Sequence, residues 1–451
     1  MKKIFDEHSA NKQSEDSLLT KIQRVTRYAL FWNFWEATVS QILQIGTQTL
    51  LFLHINKILF GLQGTFFALV FGIVHVANLG LEFAIIPYFP YFSSSKHHFK
   101  KFFYHYLIPQ FFIFLSIPFF IFYLLPPSWI SHIIMPLRAS KGMITIAWIC
   151  IVSEGIKKNA RAILYLAFKN KVTAVTEIIH YVGYSCCLWS MYLLHYPFSL
   201  HTLIIPFCIL SLITMIMLVL KVYALYCLLP DHADEVMHYS FKKFNKNRLF
   251  IFINHACRII FSDNFLITFF AQTKGLIEAG TAHLMSSITF GMTYCVQRLF
   301  APTGGALFSH IRAIDHRLSQ TIFSQLVRRI TYTLIVLTVL LLLGIVIIVT
   351  TQNTAWRSTI IPYLIIFFLS HIIESLFMIF EKIYIAYEQP LYITACNLLS
   401  VIACYILYLL LFKKTLIYFV IGSMIIRMIT FIVLCGIAFK KWGFSITTKQ
   451  T

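Results

Sequence analysis

The sequence predicts an all-α integral membrane protein: about twelve transmembrane helices in two parallel six-helix halves around a central cavity, both termini cytoplasmic. Hydrophobic residues make up 59% of the 451 residues and charged residues only 12%, where a soluble domain carries about 25% charge. Mean hydropathy is +0.76. Apolar runs long enough to cross a hydrocarbon core of about 30 Å recur along the whole length. Lys and Arg sit in the short breaks between those runs and not in one stripe, so the net charge of +20 reads as membrane orientation. It does not read as a nucleic-acid footprint.

In order, the apolar runs of the first half are Tyr28–Leu53, Thr65–Phe92, Phe103–Leu125, Met143–Phe168, Thr173–His195 and His201–Cys227. Those of the second are Leu249–Thr273, Gly280–Pro302, Arg329–Thr350, Thr359–Tyr387, Leu391–Phe412 and Leu416–Phe439. At 1.5 Å per residue most can span the core, and the second and tenth are long enough to tilt or bend. The stretch before the first run is polar and has no apolar h-region, so that run is expected to serve as an uncleaved insertion signal. Lys and Arg in alternate connections divide 23 to 7, with Lys382 counted on the richer side; the positive-inside rule then puts both ends in the cytoplasm. Polar Pro230–Arg248 separates six runs from six. The expected organisation is a cytoplasmic segment 1–27, a first half 28–227, a linker 228–248, a second half 249–440 and a tail 441–451.

All ten cysteines lie within or beside apolar runs and no pair has metal-ligand spacing, so they read as small packing residues, and neither disulfides nor a metal is expected. There is no Walker loop, H-E-x-x-H or G-x-S-x-G motif, and the external connections are short. An enzyme with a cofactor is therefore not expected.

Weak self-similarity points to duplication. Gly64-Thr65 and Gly280-Thr281 open the second and eighth runs, and Ala167-Phe168-Lys169 and Ala386-Tyr387-Glu388 close the fourth and tenth. Parallel repeats of this kind are a transporter design. The stretches Leu59-Phe60-Gly61-Leu62-Gln63-Gly64-Thr65-Phe66-Phe67-Ala68-Leu69, Asn78-Leu79-Gly80-Leu81-Glu82-Phe83-Ala84 and Ile163-Leu164-Tyr165-Leu166-Ala167-Phe168-Lys169-Asn170-Lys171 resemble polysaccharide flippases of the Wzx type. These belong to the superfamily that also holds the multidrug extruders and lipid II flippases. The resemblance implies a multi-pass protein of the bacterial cytoplasmic membrane that carries a lipid-linked glycan, with polysaccharide polymerase or ligase proteins as partners beside membrane lipid.

Ionisable groups at membrane depth are costly unless they face a cavity or a partner, so each is a candidate for function. In the fourth run Glu154, Lys157, Lys158 and Arg161 share one helix face. They read as a wall for an anionic headgroup, with Glu154 pairing Lys157 or Lys158, or as cations snorkelling toward lipid phosphates. His75, Asn78 and Glu82 share a face in the second run, and Glu36, Gln44 and Gln48 lie on a polar face of the first. These faces line something wet or hydrogen-bond to neighbouring helices. The second half adds Arg258, Asp263 and Asn264, then Arg298, Glu374 and Arg427. Arg258 and Arg427 at mid-depth are the foremost expected anion binders, and Glu82 is expected to pair with Arg298 as a cytoplasmic gate. His75 and Glu374 are candidates for ion coupling. Taken together, Arg258, Arg427, Lys157, Lys158, Arg161 and Arg298 would receive a pyrophosphate, and Gln44, Gln48, Asn78 and Asn264 would contact sugars. Glu36, His75, Glu82, Glu154, Asp263 and Glu374 would gate or couple. Efflux of cationic drugs, which wants an acidic cavity, is the alternative.

Overall fold

The computed structural model describes residues 15–120, 141–231, 240–259, 262–273, 275–290 and 354–442 apart from 412–415, with isolated positions between 328 and 343. Most of Arg329–Thr350 and the later part of Gly280–Pro302, with Arg298, lie outside these. Among the described residues the structure is helical, without a strand.

The first half contains α1 (Glu15–His54), α2 (Lys57–Ala77), α3 (Lys96–Phe119), α4 (Lys141–Leu166), α5 (Asn170–Leu193) and α6 (Leu200–Cys227). The second contains α7 (Phe241–Ile259), α8 (Asp263–Thr273), α9 (276–290), α10 (Thr354–Ala386), α11 (Pro390–Leu411) and α12 (Leu416–Trp442). Five described helices are long and apolar enough to cross a membrane, up to six if the pair α7 and α8, bent by 41°, is one broken span.

The second span differs from the expected Thr65–Phe92. It starts at Lys57, where Asn56 caps the helix by accepting from the Ile58 N–H, and stops at Ala77. Leu79 and Gly80 then take positive φ of 47° and 70°. A side chain at Gly80 would meet Ile251 of α7 at 2.8 Å, so glycine there serves both the turn and the close approach. The chain continues to Phe92 as three short helical segments, as apolar as the span itself. Gln110 of α3 donates to the Ala77 carbonyl, one of those the break leaves without an intrahelical partner. A π-helical segment, Phe103–Leu107, interrupts α3.

The ends of α4 and α10 adopt the same turn, one that also closes α5 at His195. Phe168 and Glu388 both have φ 56°. After α4, Lys169 N–H donates to the Leu164 carbonyl at 2.8 Å; after α10, Gln389 N–H donates to Tyr384 at 2.8 Å. The two helix ends close with the same turn, 220 residues apart.

The halves meet along α2. Towards its external end Gly61 lies against α9 so closely that a Cβ would overlap the Leu276 carbonyl oxygen, and Gly64 lies against His283. At the cytoplasmic end Asn247 donates to the Tyr88 hydroxyl at 3.0 Å and Arg248 Nε to the Leu79 carbonyl at 3.2 Å. One apolar core crosses this seam, joining Phe60, Phe66 and Phe67 to Leu266, Ile267, Ala282 and Phe367. Exposed leucines and isoleucines elsewhere face outward from the bundle, as expected where lipid is the solvent.

Candidate functional site

Two cavities lie between the halves. The first, of about 500 Å³, lies toward the cytoplasm and is lined by Glu82, Glu154, Lys157, Lys158, Arg161 and Lys382, with His75, Tyr165, Glu177 and Asn264. The second, of about 460 Å³, lies toward the external face and is lined by Gln44, Gln48, Arg258, Asp263, Glu374 and His371, with His75 and Asn264 again.

In the first half the helical spacing of α4 delivers its four charges to one face, and each meets a partner. Lys157 binds Glu154 at 2.6 Å, one turn away, and Ser211 of α6 donates to the same carboxylate. Arg161 binds Glu36 of α1 at 2.9 Å and also Glu177 of α5. The Tyr165 hydroxyl donates to Glu36 at 2.8 Å. Lys158 lies 3.3 Å from Glu82 and 3.2 Å from Nδ1 of His75. A buried ion pair is tolerated when such added hydrogen bonds satisfy it.

The second half repeats the arrangement with signs exchanged. Arg258 of α7 binds Glu374 and Glu381 of α10. Arg427 of α12 binds Glu374 at 2.8 Å and donates to Asn397 of α11. Asn254 donates to Glu381 at 2.6 Å. Asp263 accepts from Ser286 and lies 2.9 Å from Nε2 of His371.

Several expected roles change place. Arg427 is 4% exposed, lies across the face of Phe377 at 3.9 Å and lines neither cavity among the described residues, so it is held as a counter-charge inside the second half. Arg258 does reach the outer cavity, yet two carboxylates engage it. Glu36 is fully buried behind Arg161 and lines neither cavity. Asn78 is buried at the end of α2, away from both cavities, and its amide has no partner among the described residues. Glu82, expected opposite Arg298, takes Lys158; Arg298 lies outside the described residues. Lys157, Lys158, Arg161, Glu154, Gln44, Gln48, Asn264, His75, Asp263 and Glu374 do line the cavities.

Sequence reasoning missed Glu177, His255 and Lys382. Glu177 is a single acid in an apolar run, a signal that went unused. His255 is one histidine among many. Lys382 lies inside the expected run Thr359–Tyr387 although the charge count assigns it to the cytoplasmic side, and α10, which ends at Ala386, carries it to the inner cavity. Its ammonium sits 3.5 Å from the centroid of the Phe83 ring. Among the described residues no carboxylate lies within 4 Å of it, which sets it apart from the other cations lining the two cavities.

No protein-family model matches the sequence, and no curated protein matches it closely. Solved structures do match in fold. An outward-facing multidrug-resistance transporter of the MATE family, in the MOP superfamily, is similar over 94% of this chain and 96% of its own, with a TM-score of 0.64. The chain has the MATE transporter fold. A MATE protein in its straight conformation covers 92% of this chain and 96% of its own at TM-score 0.65, and the MATE multidrug transporter DinF-BH covers 93% and 95% at 0.59. Identities are 11%, 12% and 12% respectively, so the likeness is one of architecture. The MATE fold is all-α with twelve helices, which agrees with the span count expected from hydropathy.

Proposed function

We propose that this chain flips a polyprenyl-pyrophosphate-linked oligosaccharide across the bacterial cytoplasmic membrane by alternating access, for cell-surface polysaccharide synthesis. The observation that carries the reading is Lys382, a cavity cation held by a ring face and not by a carboxylate, with Lys158 on the same cavity wall. A cation–π contact leaves the hydrogens of an ammonium available to phosphate oxygens. Lys158 and Lys382 receive the pyrophosphate from the cytoplasm, Asn264 and Tyr181 border the sugars, and the polyprenyl chain stays in lipid. Arg161 and Lys157 are buried with their carboxylates and act through the shape of the wall, whereas Lys158 is more exposed and exchanges Glu82 for phosphate oxygens. Protein partners would be the polymerase or ligase that uses the flipped glycan.

A second reading, extrusion of cationic drugs, is favoured by Asp263 and Glu374 on the outer cavity and by the fold of the known multidrug transporters. Binding separates the two. Polyprenyl pyrophosphate and a lipophilic cationic dye are titrated into the protein in nanodiscs. On the flippase reading the pyrophosphate lipid binds, and Lys158→Ala and Lys382→Ala each weaken it about 10- to 100-fold, the effect of losing a charge-assisted hydrogen bond. Tight dye binding that Asp263→Asn abolishes, with no binding of the pyrophosphate lipid, would favour the drug reading.

A further inference from the structure

At the cytoplasmic face the starts of α3 and α7, one helix from each half, meet through their side chains. Residues 96–103 and 241–248 together hold seven lysines and arginines, and neither 96–119 nor 241–259 contains an Asp or Glu. Three of the seven cations are engaged. Lys96 binds Asp231 at 3.0 Å and Lys243 binds Glu388. Arg248 donates to the Leu79 carbonyl and to Gln110. The other four, Lys100, Lys101, Lys242 and Lys246, are exposed. Among the described residues no carboxylate lies within 4 Å of any of these four.

Aromatic rings join the two helices at the level of these cations. Phe241 meets His105 at 6.3 Å and Tyr106 at 5.9 Å, centroid to centroid, and Tyr106 meets Phe244 at 4.4 Å. Tyr106 and Phe244 are buried, yet Phe241 remains 55% exposed beside them. Phe103 and Tyr104, in the π-helical segment of α3, are exposed as well. Lys101 stands one turn before His105, and Lys242 stands next to Phe241, so these two lysines flank the exposed ring. Lys100 and Lys246 extend the charge along the outer side of each helix; the Lys100 ammonium lies 5.9 Å from the centroid of the Tyr104 ring.

This surface has apolar rings at its centre, ammonium groups around them and no carboxylate of its own helices to compete. Basic pockets between helices on the cytoplasmic side suit anionic headgroups, and aromatic rings sit well at the depth where headgroup meets acyl chain. Membrane orientation explains cations on this face. It does not explain the missing acids, which weigh little in orientation, nor why cations of the two halves adjoin. A zwitterionic lipid carries its own cation beside the phosphate and has less to gain here.

We propose that the surface between α3 and α7 is a binding site for an anionic phospholipid of the cytoplasmic leaflet. Its phosphate lies among Lys101, Lys242 and their outer neighbours, and the first carbons of its chains lie on Phe241. Because the site takes one helix from each half, the bound lipid clasps the halves at their cytoplasmic ends. It therefore favours the conformation in which α3 and α7 are adjacent. Each lysine near an anionic lipid contributes about fivefold in affinity, and added salt weakens the binding. None of the cavity cations takes part, so the site does not depend on which substrate is carried.

The test titrates the full-length protein in detergent with dioleoyl phosphatidylglycerol or dioleoyl phosphatidylcholine and counts retained lipid by native mass spectrometry. The wild type should hold phosphatidylglycerol at least about tenfold more tightly. Combining Lys100→Gln, Lys101→Gln, Lys242→Gln and Lys246→Gln should abolish that preference, and the pair on either helix alone should reduce it. The pair variants carry the test if the fourfold variant does not fold. Lys169→Gln, Lys171→Gln, Lys440→Gln and Lys441→Gln together remove the same charge from the same face and should leave the preference intact. In nanodiscs, hydrogen exchange of 96–107 and 241–250 should be severalfold slower with phosphatidylglycerol than with phosphatidylcholine. No preference in the wild type would overturn the proposal and leave the patch to an acidic protein segment. Equal loss in the two fourfold variants would overturn it as a site and reduce it to general surface charge. Exchange that ignores the lipid would overturn the clasp.

Discussion

Arg161→Met should destabilise the protein by about 3–5 kcal/mol, because it strands two buried carboxylates. Glu36 and Glu177 are 0% and 3% exposed, and the guanidinium that joins them comes from α4 between α1 and α5. With methionine there, each acid keeps its desolvation cost and loses that counter-charge; Tyr165 still donates to Glu36, and Lys157 lies 3.9 Å from Glu177. A large drop in melting temperature in detergent is the expected readout. The triple variant Arg161→Met, Glu36→Gln, Glu177→Gln should recover most of it, since a neutral site of similar volume no longer needs the pair. An unchanged melting temperature in the single variant would mean that the carboxylates do not depend on Arg161. It would also return that arginine to the set of cations available to a phosphate.

Gly61→Val should force the external end of the seam apart. A Cβ at Gly61 would already overlap a backbone oxygen of α9, and backbone cannot rotate away as a side chain does. Small residues let membrane helices approach this closely, and overpacking such a contact costs about 1–3 kcal/mol or more. If that cost falls only on the conformation in which α2 and α9 touch, the balance between conformations moves by about 10- to 100-fold toward the one in which they part. Hydrogen exchange across 57–66 should rise accordingly. Gly46→Val is the control, because nothing lies within 4 Å of a Cβ there. Equal behaviour of the two variants would show that the approach of α2 to α9 is not a packed contact in the membrane.

Most spans are legible because period and hydropathy act along one helix. Met143–Phe168, Thr173–His195 and His201–Cys227 are expected from the sequence, and α4, α5 and α6 match them to within about three residues. The second span is misplaced for a physical reason. The short helical segments after Gly80 are buried in the cluster that holds Phe89, Phe92, Phe102 and Phe244, so they are as apolar as a span, and hydropathy does not register direction. The sequence does carry the signals of a break, in Asn78-Leu79-Gly80, Pro87 and Pro90. Pairing is the illegible part. The face shared by Glu154, Lys157, Lys158 and Arg161 follows from helix geometry alone, but which acid meets Arg161 depends on how α1 and α5 dock. For the same reason Arg427 reads as a free cation until α10 supplies Glu374. Lys382 is misread because a lysine one turn from the end of an apolar run counts as a cytoplasmic charge, whichever way its side chain faces.

The opposite charges at the centres of the two halves bear on ancestry. If both halves descend from one copy, that copy placed a single pattern of charge on the helices that became α1 and α7, and on those that became α4 and α10. Today the signs are opposite, with Glu36 against Arg161 in one half and Arg258 against Glu381 in the other. Changing one member alone would have set two like charges side by side without water, at a cost of several kcal/mol, so reversal required a neutral stage or a paired replacement. Asparagines sit beside the second-half pair, Asn254 donating to Glu381 and Asn397 to Asn254. On that descent, electrostatics allowed the reversal only through a neutral intermediate or a paired change.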